Sequence, residues 1–146
     1  MLSQSTSKVN FFSEGVKSNI KGKKALKTFI QLIFKLEKRD LESINYIFCT
    51  DKMLREINKE YLNHDNFTDI ITFHLSEPRK PIVSEVYVSI DRIKESAKDN
   101  DVTYKSELHR VIFHGALHLC GYSDKNRSDK MIMRKKEDFY LLKYFR

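Results

Sequence analysis

The spacing of apolar and polar positions divides the chain into alternating strands and helices. Val9 to Ser13 (V-N-F-F-S) is a short apolar strand. Lys23 to Leu36 has helical period, with Ala25, Phe29, Leu32, Ile33 and Leu36 on one stripe and lysines on the other. Charged residues at 37 to 42 end that helix and lead into Ile44 to Cys49, a β-branched and aromatic run typical of a strand. Thr50 and Asp51 are N-cap types for a helix running through Leu54, Ile57 and Tyr61 to about Leu62. Residues 63 to 66 carry turn chemistry. Thr68 to Leu75 is a nearly continuous apolar strand, which predicts a central place in the sheet. After the loop at 76 to 81, Val83 to Ile90 returns as a strand with Val86 and Val88 on one face. Helices are then predicted over Asp91 to Lys98, Tyr104 to Leu119 and Ser128 to Tyr144, the last with Met131, Ile132, Phe139 and Leu142 turned inward. About four strands and about five helices in this order predict a single α+β domain over 1–146, a small mixed sheet covered by helices.

The helix predicted over Tyr104 to Leu119 carries the candidate chemistry. Leu108, Val111, Ile112, Leu117 and Leu119 make it apolar enough to lie centrally on the sheet. Yet Arg110, His114 and His118 recur at i, i+4 and i+8, with Glu107 beside them, and burial alone does not explain a polar stripe on such a helix. The two histidines lie about one turn apart and can reach one ion. Gly121 is placed to end the helix in a left-handed conformation, so that the chain turns back and brings Asp124 toward them. Two imidazole nitrogens and one carboxylate suit a zinc site with an open position for water. The residue after His114 is Gly115, where zinc peptidases of the HExxH type carry their glutamate base. Gly in mid-helix costs about 1 kcal/mol relative to Ala, so it asks for a close neighbour, another backbone or a substrate beside the metal. A metal-activated water can still attack a phosphodiester without that glutamate.

Composition adds a partner class. The formal net charge of +7 favours polyanions, nucleic acid foremost. The lysines and arginines of the first and last helices read as solvated faces, with an RNA path across them as the alternative. The start lacks a basic segment followed by an apolar stretch, and no apolar run is long enough for a membrane span. Cys49 and Cys120 are too few for a disulfide framework, which points to a reducing cytoplasm. Cys120 reads as a small core residue, His109 as a partly exposed histidine, and Asp69 as a brace at the strand start or a contact to the metal-site loop.

The run H-G-A-L-H-L-C-G-Y (114 to 122) resembles the signature of the YbeY family of metal-dependent endoribonucleases. L-R-E-I-N-K-E-Y-L-N-H-D-N-F-T-D-I-I-T-F (54 to 73) is similar to that family's upstream block, and Glu85 in S-E-V-Y-V-S-I also fits. The resemblance covers most of the chain from about residue 44 onward. It implies an α+β domain with one Zn2+ ion, cutting single-stranded RNA in maturation of the small-subunit ribosomal RNA 3′ end, with the ribosomal small subunit as partner. It implies metal ligands at His114 and His118. The family usually has a third histidine where this chain has Asp124, a carboxylate that can also ligate zinc. His64 or His74 is the alternative third ligand. Many members carry a phosphate-holding arginine where this chain has Leu62, and Arg110 is the candidate to supply that charge for RNA. Two other readings remain: a zinc peptidase or other metallohydrolase, which Gly115 argues against, and a non-enzymatic ribosome-associated binding factor with a structural metal.

Overall fold

The computed structural model describes residues 7–62 and 68–146, so the turn expected at 63 to 66, His64 and the side chain of Leu62 lie outside the described residues. Along the chain come β1 (Val9–Ser13), α1 (Lys23–Leu36), β2 (Leu41–Cys49), α2 (Asp51–Leu62), β3 (Ile70–His74), β4 (Ile82–Ser89), α3 (Ile90–Asp99), α4 (Tyr104–Leu119) and α5 (Arg127–Phe145). The strands form one sheet in the order β1-β2-β4-β3. β1 with β2 and β2 with β4 run parallel, while β3 runs antiparallel to β4. This is the α+β domain the pattern predicts.

Alternation along the strands builds two cores of unequal size. Ile44, Tyr46 and Phe48 of β2 and Val86 and Val88 of β4 point into a large core shared with α1, α3, α4 and α5. The opposite face carries a smaller cluster in which Cys49, Ile71, Phe73 and Tyr87 meet Leu54 and Ile57 of α2. β3 lies at the edge of the sheet rather than at its centre. Its run is apolar because Ile70 faces α4 and Ile71 and Phe73 face α2, so both sides are covered although β4 is its only strand neighbour among the described residues.

α4 is held on every side but the one that carries its polar stripe. Leu108, Ile112, Phe113, Ala116 and Leu117 are all but fully buried. The fully buried Tyr46 crosses from β2 and donates its Oη hydrogen to the Ile112 carbonyl at 2.8 Å, so the phenol enters the core with its polar end satisfied. Thr103 caps the helix start by accepting from the Ser106 amide at 3.0 Å. At the other end Gly121 takes φ +106°, its amide donates to the His118 carbonyl at 3.0 Å, and the Tyr122 amide donates to the Leu117 carbonyl at 3.1 Å. These paired bonds are a Schellman ending, and they reverse the chain as expected.

Two helix faces differ from the reading of the sequence. α1 buries Leu26, Phe29, Ile30, Ile33 and Phe34, leaving Ala25 and Leu36 exposed, so its inner stripe is rotated toward the bulkier residues. α5 buries Met133, Glu137, Tyr140 and Leu141 and turns Met131, Ile132, Phe139 and Leu142 outward. The reason is its neighbour: α5 lies along the polar stripe of α4, and the residue that complements Arg110 and His114 is a glutamate.

Gly115 faces the sheet rather than a substrate. A Cβ there would stand 3.0 Å from Ile70 Cδ1 and 3.1 Å from Val86 Cγ1, which is how closely α4 approaches β3 and β4. Gly115→Val should overpack this contact and lower the unfolding free energy by roughly 1–3 kcal/mol, read from the urea midpoint at unchanged m-value.

Candidate metal and RNA site

The one polar stripe of α4 opens into a cleft of about 750 Å3, lined by residues of β3, α4, α5 and the turn between the two helices. His114, His118, Asp124, Arg110 and Glu107 all face it, joined by Asp69. The imidazoles of His114 and His118 stack loosely, with centroids 6.0 Å apart and planes 30° from parallel. The reversed chain brings Asp124 back so that its Oδ2 lies 3.4 Å from His114 Nε2. The three expected ligands are therefore neighbours.

Hydrogen bonds set which nitrogen of each ring is offered to the cleft. His118 Nδ1 lies 2.7 Å from the Tyr122 carbonyl, an acceptor only, so Nδ1 carries the proton and neutral His118 has its lone pair on Nε2. His114 Nδ1 lies 2.7 Å from Glu137 Oε2, with the same consequence when the ring is neutral. A carboxylate or carbonyl behind each histidine is the arrangement that orients metal-ligating imidazoles. Asp124 is 46% exposed and the His118 side chain is also exposed, so packing does not hold either one rigidly. Among the described residues, no three donors of His, Cys, Asp or Glu already converge on one ion-sized position.

The local charge balance asks for a cation. Burial pushes the His114 pKa down, but the Glu137, Asp124 and Asp69 carboxylates outweigh it and hold the ring above the usual histidine value. Asp69 is pushed up by its own burial and by Glu107 and Glu137, against the pull of His114. Several carboxylates thus surround one imidazole, and the donor set fits a divalent ion.

The chain matches the family described as Endoribonuclease YbeY over residues 10–145. It is 44% identical over 128 residues to the Endoribonuclease YbeY of Cytophaga hutchinsonii, covering 88% of this chain and 90% of that one. With the Endoribonuclease YbeY of Flavobacterium johnsoniae the identity is 41% over 130 residues, covering 89% and 92%. The chain belongs to the YbeY family. The solution structure of TM1509 from Thermotoga maritima has a similar fold, with a TM-score of 0.62 at 26% identity, covering 94% of this chain and 89% of that one.

Within this YbeY fold, the other residues named from sequence divide clearly. Arg110 reaches the cleft rim, but its Nη1 is 2.9 Å from Glu137 Oε1 and its Nη2 is 2.6 Å from Asp138 Oδ1, so both ends of the guanidinium already hold carboxylates. His74 ends β3 on the surface and does not line the cleft, because β3 enters the cleft with its other end, at Asp69 and Ile70. His109 is 3% exposed rather than partly exposed, with Nδ1 2.7 Å from the Lys105 carbonyl and its ring against Phe113, Tyr144 and Phe145. Burial holds its pKa below the usual value. Cys120 is a core residue as expected, its thiol pushed up to about 12 by burial.

Two glutamates escaped the sequence reading. Glu137, 7% exposed, holds His114 with one carboxylate oxygen and Arg110 with the other. Its signal was a single acidic residue among Met133, Tyr140 and Leu141, a stripe passed over for the more apolar one. Glu37, at the end of α1, accepts from Tyr122 Oη at 2.7 Å, from Lys136 Nζ at 3.0 Å and from Tyr140 Oη. It therefore ties the turn that carries Asp124 and the middle of α5 to α1. Nothing local in the sequence marks it.

Burial acts to raise the Glu37 pKa, yet these three donors bring it below the ordinary 4.5. A carboxylate with a depressed folded-state pKa stabilises above its unfolded value and loses that contribution as pH falls through its folded value. Glu37→Gln should therefore be less stable than wild type at neutral pH, by about 1.5–3 kcal/mol for its charged hydrogen bonds. The gap should narrow as pH falls below 4.5, measured by urea unfolding at a series of pH values.

Proposed function

We propose that this chain is a zinc-dependent endoribonuclease that cuts single-stranded RNA during maturation of the small-subunit ribosomal RNA 3′ end. The supporting observation is the cleft pairing of His114 and His118, each with Nδ1 engaged so that Nε2 carries the lone pair, beside the Asp124 carboxylate. These three residues would hold the ion. A zinc ion there supplies Lewis-acid chemistry, lowering the pKa of water and stabilising negative charge developing on a phosphate.

The remaining residues have definable tasks. Glu137 fixes the tautomer and plane of His114, and Tyr122 does the same for His118 through its carbonyl. Arg110 holds Glu137 and Asp138 in place and adds positive charge beside the cleft carboxylates. A peptidase reading is disfavoured by the position after His114, where Ile70 and Val86 leave no room for a catalytic glutamate facing the cleft. The large apolar core around α4 argues against a purely structural metal, because apolar contacts hold the helix in place. The buried free thiols of Cys49 and Cys120 suit work on ribosomes in a reducing cytoplasm. Among the described residues no helix is long and apolar enough to cross a membrane.

Elemental analysis of freshly purified protein should find about one zinc per chain, with three protein ligands leaving a position for water. His118→Ala and Asp124→Ala should each lose the metal and the cleavage of single-stranded ribosomal RNA, with the far-ultraviolet circular dichroism unchanged. Chelation should likewise abolish cleavage with the fold retained, whereas unfolding on chelation would favour a structural ion. Metal-free wild-type protein would refute the site. Glu137→Gln should keep the ion but weaken it about 10–100-fold, as measured by competition with a zinc indicator.

A further inference from the structure

Three cations line the cleft: Arg110, Lys130 and Arg134. Arg110 is committed to Glu137 and Asp138. Lys130 and Arg134 are not so held. They stand four residues apart on α5, which places them on one face about 6 Å apart along the axis. Lys130 is exposed, and its ammonium has no hydrogen-bond or ion-pair partner among the described residues. Arg134 is 63% exposed, and its contact to Glu137, at 3.9 Å, is longer than a hydrogen bond.

The same cleft carries a wall of carboxylates, Glu137, Asp124, Asp69 and Glu107. Such a wall repels a phosphate backbone unless fixed positive charge at the rim offsets it. We propose that Lys130 and Arg134 form a phosphate-binding ledge that lays single-stranded RNA across the cleft beside His114 and His118. This rests on the RNA-cleaving reading above and names the residues that hold the substrate backbone. An exposed lysine and an arginine held only by a 3.9 Å ion pair, on one helical face, can each take a phosphate oxygen, the arginine through its fork and the lysine as a point charge.

The test is the salt dependence of binding to a fluorescein-labelled single-stranded oligouridylate, read by anisotropy from about 50 to about 200 mM salt. Lys130→Ala/Arg134→Ala should make the slope of log K against log salt less negative by about 1.4, since each phosphate contact on a single strand contributes about 0.7. Lys94→Ala/Lys98→Ala is the control, with the same spacing and charge loss on an exposed face of α3 outside the cleft. It should leave the slope near that of wild type. Arg134→Lys alone should also keep it, because the charge remains. Equal slopes for the cleft pair and wild type would overturn the ledge, as would equal losses for the cleft and control pairs. A wild-type protein that does not bind the oligonucleotide at any of these salt concentrations would overturn the RNA reading itself, and the ledge with it.

Discussion

Everything at the candidate site depends on α4 being packed on every side but one. Sheet, α1, α3 and α5 close around Leu108, Ile112, Phe113, Ala116 and Leu117, and the Tyr46 phenol bonds the helix's own backbone in mid-span. A helix so enclosed has no freedom to rotate, because turning it would push His114 into the core and expose leucine. The stripe Arg110–His114–His118 is thus held at a fixed angle to the cleft by contacts that have nothing to do with chemistry. The closeness of Gly115 to Ile70 and Val86 belongs to the same constraint, since it sets how far the helix stands from β3 and β4.

Polar groups then refine what packing has placed. Each histidine is oriented from behind, His114 by a side-chain carboxylate of α5 and His118 by a main-chain carbonyl of the turn that follows α4. The difference matters. The carbonyl brings no charge, whereas Glu137 adds one negative charge that Arg110 shares. Asp124 adds a further carboxylate beside the His114 ring. The cleft lining therefore sets four carboxylates, Glu107, Asp69, Asp124 and Glu137, beside three cations, Arg110, Lys130 and Arg134, the last two exposed on α5.

Much of this was legible from periodicity. β1, α1 and α4 begin and end where the pattern places them, and the Gly121 reversal that returns Asp124 to His114 follows from one glycine after a helical run. The misreadings share a cause. Periodicity ranks stripes by hydrophobicity, but α5 packs against the polar stripe of α4, so its inner face is the one holding Glu137 while Phe139 and Leu142 stay in water. β3 looked central because it is apolar on both faces; helices on both sides of an edge strand produce the same signature. His109 is hidden by aromatic residues from the chain end, Tyr144 and Phe145, which no local window includes. Contacts between distant segments, such as Glu37 with Tyr122, leave no trace in spacing at all.

The two glutamates also differ in how much chain must close to bring them into place. Glu137 meets His114 across 23 residues, within one helical hairpin, whereas Glu37 meets Tyr122 across 85 and Tyr140 across 103. Loop closure costs about 0.6 kcal/mol for each doubling of length, so the longer closures carry an entropic disadvantage of about 1 kcal/mol. Glu137 is thus joined to His114 within the α4–α5 hairpin itself, whereas the turn before Asp124 is tied to α1 through Tyr122 and Glu37. The contacts behind the two histidines are local in sequence, while the tie from the following turn to α1 spans more than half the chain.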